Sequence, residues 1–278
     1  MITGYVGQPG SGKSAMAVRD ILSSSRVTYT NIALKGIKSP RIRTISNEDV
    51  VEEYVAGEKK DGTEILKKRL NVEFWKKVPK PVDVIFDEAH SIINSRFSAS
   101  NQNKVWMQWV KLIRKMIGGS AGHYGEFLWI AQLPRNIDVD VRDMTGMYCY
   151  HILWSWLECK KCGFKLRRNS EMTSRKYKFC LNCGNDDFYE YGHKIRQWEL
   201  RGYDNCLFFQ DLPMQEKLRI NNKVIVDIEK YFRFHTYFPY TNQGRYFFSY
   251  KYLLVTNHCF FNLRIVLMSI FFKYINFI

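Results

Sequence analysis

The chain has 278 residues, 46% hydrophobic, 25% charged and 15% aromatic, which excludes a disordered polymer and is enough for a sizeable buried core. Its net charge of +15 favours polyanionic partners, either nucleic acid or an anionic membrane face, and a solvated basic surface fits the same number equally well.

The first predicted element is a strand over residues 2–6, ITGYV, at the very start of the chain. It reads as a strand rather than as the basic segment and long apolar run of a leader. Directly after it comes Gly7-Gln8-Pro9-Gly10-Ser11-Gly12-Lys13-Ser14, which fits GxxxxGK[ST] at every fixed position. AMAVRDIL follows, with Ala15, Ala17, Val18 and Ile21 at helical spacing. Strand, loop and helix in this order is the context the motif requires. The glycines let successive backbone N–H groups point inward around phosphates, and the helix N-terminus adds its positive dipole end. Lys13 is expected to reach the β- and γ-phosphates of ATP and Ser14 to ligate Mg²⁺.

Residues 82–90 read VDVIFDEAH. Val82, Val84, Ile85 and Phe86 form the apolar run of a central parallel strand. Asp87 follows at its C-terminal end, where ligands bind in open α/β sheets. A carboxylate there can hold the Mg²⁺ shell, and Glu88 is placed to polarise the attacking water. Two adjacent acids after a buried strand also suit a helix start, because DEAHSII opens a helical pattern. His90 has two readings, a γ-phosphate sensor or a packing residue. The letters DEAH also name a class of RNA helicases. The motifs SAT and QxxGRxGR of such enzymes do not occur in the chain, so a different ATPase is expected.

The stretch KVWMQWVKLIRKMI spaces Val105, Trp106, Trp109, Leu112, Ile113 and Met116 on one helical face. Arg114 on that helix is either a finger for a neighbouring subunit's nucleotide or a solvated surface group. Phe127-Leu128-Trp129-Ile130-Ala131-Gln132 is another buried-strand run. Gln132 at its end either reports loss of the γ-phosphate or is a plain surface residue.

These pieces together resemble a known family, the zonula occludens toxin-like ATPases, which include the gene I assembly proteins of filamentous phages and sit in the FtsK–HerA-like group of P-loop motors. The matching residues are ITGYVGQPGSGKS, a second strand VTYTNI at residues 27–32 containing Asn31, VIFDEAH, and WIAQLPRNIDVDVRD at residues 129–143. In the last stretch Gln132, Ile137, Asp138 and Arg142 fit the family's pattern. The resemblance covers roughly residues 1–150. It implies an ATPase on the cytoplasmic side of a host-cell membrane, acting as a ring and driving extrusion of a virion or a DNA strand. It also implies a transmembrane helix after the ATPase domain.

Residues 159–184 read CKKCGFKLRRNSEMTSRKYKFCLNCG, a segment outside that family pattern. Cys159 and Cys162 form one CxxC pair, Cys180 and Cys183 the other, with Gly163 and Gly184 relieving the two turns. This spacing is a strong zinc-ribbon signal, with a redox dithiol pair or an iron–sulfur site as alternatives. Four thiolates leave no open position, so a Zn²⁺ ion there would be structural. Phe164, Tyr177 and Phe179 interleave with the basic residues of the segment. That mixture suits phosphates and stacked bases, and a protein-docking ribbon is the competing reading.

From Leu253 the chain reads LLVTNHCFFNLRIVLMSIFFKYINFI, long enough for a bilayer but interrupted by Asn257, His258, Asn262 and Arg264. It is either a membrane-associated tail or a buried terminal element. The expected architecture is therefore an α/β P-loop NTPase domain over residues 1–150, with a mainly parallel sheet flanked by helices. A small zinc-ribbon module over 151–200 and a C-terminal region over 201–278 follow. The expected function is an ATP-hydrolysing motor for virion assembly or export, with DNA, nucleoprotein, virion or coat proteins as partners. A soluble DNA-packaging ATPase and a nucleotide-gated binding scaffold are the alternatives.

Overall fold

Short apolar runs bounded by glycine and polar turns become strands, and the amphipathic segments between them become covering helices. The computed structural model describes residues 1–97, 100–119, 124–171, 178–221, 223–228 and 231. β1 (Ile2–Val6) is buried at every position and leads through the glycine-rich loop into α1 (Lys13–Ser23). β2 (Val27–Thr30), β3 (Ile42–Thr44) and the single-turn α2 (Asn47–Val50) follow. A protruding antiparallel hairpin, β4 (Val51–Glu58) and β5 (Glu64–Leu70), comes next, then α3 (Val72–Lys77) and β6 (Val82–Phe86). α4 (Asn101–Lys111), α5 (Ile113–Ile117), β7 (Phe127–Ile130) and α6 (Val139–Met144) complete the N-terminal half. The rest comprises β8 (Met147–Cys159), β9 (Lys165–Asn169), β10 (Phe188–Leu200), α7 (Tyr203–Asp211), α8 (Met214–Arg219) and β11 (Lys223–Asp227).

The main sheet has the order β11-β10-β8-β1-β7-β6-β2-β3, with β9 paired to β8. All pairings from β8 through β3 are parallel, whereas β9, β10 and β11 add antiparallel partners. Successive strand residues face opposite sides, so each buried strand feeds two cores. On one face Ala15, Met16, Ala17, Val18 and Ile21 of α1 pack with Tyr5, Ile85, Leu128 and Ile130. On the other, Trp75, Trp106, Trp109, Val141 and Phe209 pack with Val84, Phe86, Phe127, Trp129 and Tyr148. Trp109 is the hub there, with ring centroids 5.1 Å from Trp75, 5.4 Å from Trp106 and 5.0 Å from Phe127.

Two expectations change. The single helix over residues 104–117 is two pieces, because the chain leaves helical geometry at Leu112 (φ −97°, ψ 10°). Val105, Trp106, Trp109 and Ile113 are buried as the periodicity requires, and Leu112 and Met116 are partly so. The boundary placed at residue 150 falls inside β8. That strand pairs with β1 at Met147–Tyr150 and runs on, paired with β10, to Cys159. The cysteine module is therefore the outer end of strands that belong to the main sheet, and the described residues as far as Tyr231 form one compact unit. Among the described residues no helix is long and apolar enough to cross a membrane. The apolar stretch from Leu253, with Tyr177 and Cys259, lies outside the described residues.

Candidate functional site

The loop after β1 turns through positive φ at Gly7 (144°), Gly10 (76°) and Gly12 (87°). A Cβ at Gly7 would stand 2.6 Å from the His151 carbonyl oxygen, and one at Gly12 would stand 2.4 Å from Ile195 Cδ1. At Gly10 a Cβ would meet nothing, so there glycine answers the backbone angle alone. Ser11 is fully buried, and its N–H donates to the Gln8 carbonyl at 3.1 Å, closing the loop on itself. Lys13 opens α1 and folds back, donating from Nζ to the carbonyls of Gly7 (2.8 Å) and Gln8 (3.1 Å). Burial pushes the Lys13 ammonium down to about 8, partly opposed by the negative charges of Asp87 and Glu88.

Across the sheet, β6 delivers Asp87 to the same end. The Ser14 hydroxyl donates to Asp87 Oδ2 at 2.6 Å, although 73 residues separate the two in sequence. Asn31, just past β2, holds the Asp87 backbone from both sides. Its Nδ2 donates to the Asp87 carbonyl (2.9 Å), and its Oδ1 accepts from the Asp87 N–H (2.7 Å). Glu88 sits at φ 50°, a left-handed turn uncommon for a non-glycine residue, and its N–H donates to Asp87 Oδ1 at 2.9 Å. The turn continues into a short 3₁₀ segment, Ala89–Ser91, where the sequence pattern suggested a helix. Loss of solvation and the neighbouring Asp87 charge push the Glu88 carboxyl up, with His90 and Lys13 pulling it back. His90 Nδ1 lies 3.2 Å from Glu88 Oε2.

Gln132 lies just beyond β7 beside the loop, and its backbone carbonyl accepts from the Gly7 N–H at 3.4 Å. Arg114 is not brought to this end in its own chain. It is exposed on α5, beside Lys115, whose carbonyl takes the Lys80 ammonium ahead of β6, at the other ends of the strands. Ile137, Asp138 and Arg142 have structural partners. Ile137 is fully buried, Asp138 caps α6 and accepts from Asn103 Nδ2 (2.7 Å), and Arg142 stacks on Tyr203 at 4.4 Å.

Sequence reasoning missed the wall behind the loop. His151 of β8 is buried, with its ring 4.5 Å from Tyr5 and Nε2 3.1 Å from Gln197 Oε1 of β10. Burial holds this imidazole neutral, at about 3. No local motif signals a residue that reaches the loop through strand pairing.

The donor set suits the groups the loop motif implies. Inward-turning glycines, a buried ammonium and a helix start form a phosphate cradle. Ser14 and Asp87 offer two hard oxygens at one point, and Mg²⁺ takes few protein oxygens, filling its shell with water and phosphate.

The four cysteines are also gathered. Their sulfurs all lie within 4.8 Å of one another, with Cys159–Cys183 and Cys162–Cys180 both at 3.5 Å. Tetrahedral zinc at about 2.3 Å from each sulfur requires spacings of roughly 3.8 Å. The two turns match. Gly163 N–H donates to the Cys159 carbonyl and Gly184 N–H to the Cys180 carbonyl, both at 2.9 Å. Burial resists ionisation of Cys159, but the N–H groups of Cys162 and Lys161 outweigh it and hold the thiol near 6. At Cys183 the Asn185 N–H favours the thiolate, yet burial and the other three thiols push it up to about 12. Crowded thiolates of this kind are relieved by a bound cation, and the cluster could hold zinc.

A parallel sheet whose first glycine-rich loop is shaped as a phosphate cradle, beside the acid that follows β6, defines a P-loop NTPase fold. Residues 1–147 match the profile of the family described as zonular occludens toxin (Zot), and the chain belongs to that family. Among solved structures it is similar to the N-terminal domain of zonular occludens toxin from Neisseria meningitidis. That match has 16% identity and a TM-score of 0.43, covering 84% of this chain and 98% of that one. It is also similar to the genome packaging NTPase B204 from Sulfolobus turreted icosahedral virus 2 in complex with ATP-gammaS. There the identity is 14% and the TM-score 0.33, covering 54% of this chain and 74% of that one. No curated protein matches the chain. At these identities and scores no residue role is carried across.

Two predictions follow from this geometry. An amine holds phosphate best as an ammonium, and the depressed pKa of Lys13 means that it deprotonates as pH rises through about 8. ATP affinity, measured by calorimetry, should be flat below pH 8 and fall by up to about tenfold per pH unit above it. Constant affinity up to pH 9.5 would show that the Lys13 ammonium stays charged over that range, against the effect of burial. Elemental analysis of the purified protein should find about one zinc per chain, lost in a Cys162→Ser, Cys180→Ser double variant together with a fall in Tm. Iron in its place, or metal-free protein with an unchanged Tm after chelation, would rule the zinc assignment out.

Proposed function

We propose that this chain is an ATP-hydrolysing motor of virion assembly or packaging. The observation that carries the reading is the junction of Ser14 and Asp87 at 2.6 Å, with Lys13 folded into the same loop and Glu88 beside it. Membership of the Zot family and the basic charge of the chain support it. In this reading Gly7 to Ser14 hold the triphosphate, Lys13 neutralises phosphate charge, and Ser14 and Asp87 hold Mg²⁺. Bound Mg²⁺–ATP supplies the phosphoanhydride to be cleaved and the positive charge that shields it. Glu88 takes the proton of the attacking water, a role suited to a carboxyl shifted towards neutral pH. Gln132, attached to the loop through its backbone, reads the state of the terminal phosphate. The motor works as a ring of identical subunits, on DNA, nucleoprotein or virion components, on the cytoplasmic side of a host membrane. The apolar stretch from Leu253 is its anchor.

Lys13→Ala should abolish ATP binding. Glu88→Gln should bind ATP with little change in Kd while turnover drops by about 10²-fold or more. Unchanged turnover in Glu88→Gln would dismiss Glu88 as the base, and negligible turnover in the natural chain would favour a nucleotide-gated scaffold over a motor.

The anchor is tested by fractionation of the full chain beside a version ending at Tyr250, with alkaline extraction of the membrane pellet. The full chain should resist extraction and the shorter one should be soluble. If both are soluble, the membrane part of the proposal fails and a soluble packaging motor takes its place.

A further inference from the structure

The outer ends of β8, β9 and β10 carry a second chemical surface that the nucleotide site does not use. Strand pairing puts Trp156 opposite Arg167 on one side and Tyr191 on the other, and Glu158 opposite Lys165 and Tyr189. Trp154 pairs with Lys194 and Asn169 on the same face. Three of these rings are open to solvent, Trp156 at 42%, Tyr189 at 61% and Tyr191 at 36%. Trp154, nearly buried, is flanked by two guanidinium groups, Arg167 at 4.6 Å and Arg196 at 4.7 Å from its ring centroid. Lys160 lies over Tyr189 at 5.0 Å.

The two faces of this ribbon differ in charge balance. On the reverse face Glu190 gathers the Ser155 hydroxyl, Arg168 at 3.5 Å and His193 at 3.9 Å. On the aromatic face Glu158 is met by Lys165 at 3.4 Å, and Lys160 is paired with Asp187. Arg167 and Arg196 have no carboxylate within ion-pair distance among the described residues. Burial and the Arg167 charge push the Arg196 guanidinium down, so the pair is under mutual repulsion that an anion would relieve. Flat rings open to solvent on the same face as two uncompensated guanidinium groups match a polyanion that also presents unstacked planar bases. Stacking of such bases is worth about 1–3 kcal/mol each and tolerates any sequence. A closed duplex hides its base faces, and a run of Asp and Glu side chains supplies charge without a regular array of stacking rings.

We propose that the aromatic face built by Trp156, Tyr189 and Tyr191 with Arg167 and Arg196 is a binding site for single-stranded nucleic acid. Bases stack on the exposed rings, and phosphates lie against the two arginines. This deepens the motor reading by naming the surface that grips the strand, and it stands apart from the P-loop. Its test therefore runs without ATP, so its failure leaves the hydrolysis reading untouched.

The experiment is fluorescence anisotropy of labelled oligodeoxythymidine with the full-length protein over a salt series, beside a duplex of equal length and a polyglutamate chain. Trp156→Ala, Tyr189→Ala and Arg167→Gln/Arg196→Gln are compared with the unaltered chain, with zinc content and circular dichroism as checks on folding. The single strand should bind tightest. Each aromatic variant should weaken it about fivefold or more, and the double arginine variant should flatten the salt dependence. ATP turnover should be unchanged in all of them. No binding of the single strand, equal or tighter binding of the duplex, or affinity indifferent to Trp156 would overturn the proposal. Tighter binding of polyglutamate than of the oligonucleotide, lost in the arginine variant, would overturn it in favour of an acidic protein partner.

Discussion

The absence of side chains at Gly7 and Gly12 is the constraint on which the remainder of this molecule rests. It lets the phosphate loop lie against the β8 backbone and against Ile195 of β10, at distances no Cβ could accommodate. Three things follow from this contact. The loop is held on its outer side by a rigid sheet rather than by solvent. The buried imidazole of His151 is locked between Tyr5 and Gln197, with burial keeping it uncharged beside Lys13. The hairpin carrying the cysteines becomes part of the same sheet as the nucleotide site, instead of a module on a linker.

The other side of the loop depends on the Asn31 amide. An amide side chain that accepts from the N–H and donates to the C=O of one residue fixes the two peptide units flanking that residue as a strand pairing would. Asp87 is thereby aimed at Ser14, and its acceptors are shared between the Ser14 hydroxyl and the Glu88 N–H. The left-handed turn at Glu88 is tolerated in a site where hydrogen bonds over-determine the backbone on both sides.

What the sequence disclosed was whatever chemistry is written locally. The phosphate loop, the acid after the Val82–Phe86 strand and the paired CxxC turns each carry their meaning within a few residues, and the fold brings each set together. The strand continuing through residue 150 was not legible, because MYCYHILWSW carries no turn signal and its two partners, β1 and β10, are remote in sequence. His151 and Gln197 were invisible for the same reason. Arg114 illustrates the converse: a basic residue on a helix near the motif in sequence lies at the far ends of the strands in space. The Ile137, Asp138 and Arg142 pattern proved to be held by core packing, a helix cap and an aromatic contact, which local spacing could not distinguish from a chemical role.

The unbroken run of β8 has a mechanical meaning. From His151, whose carbonyl faces the phosphate loop, to Cys159 at the cysteine cluster, the strand covers about 26 Å at ~3.3 Å per residue. Pairing with β10 along that length, apart from a bulge between Tyr191 and Lys194, and with β9 from Trp154 to Glu158 makes it a beam rather than a tether. A beam fixed at one end multiplies angle into distance: a tilt of about 5° at the loop sweeps the far end through roughly 2 Å. On that geometry, any tilt imposed at the glycine-rich loop would be read out as displacement at the cysteine-capped tip.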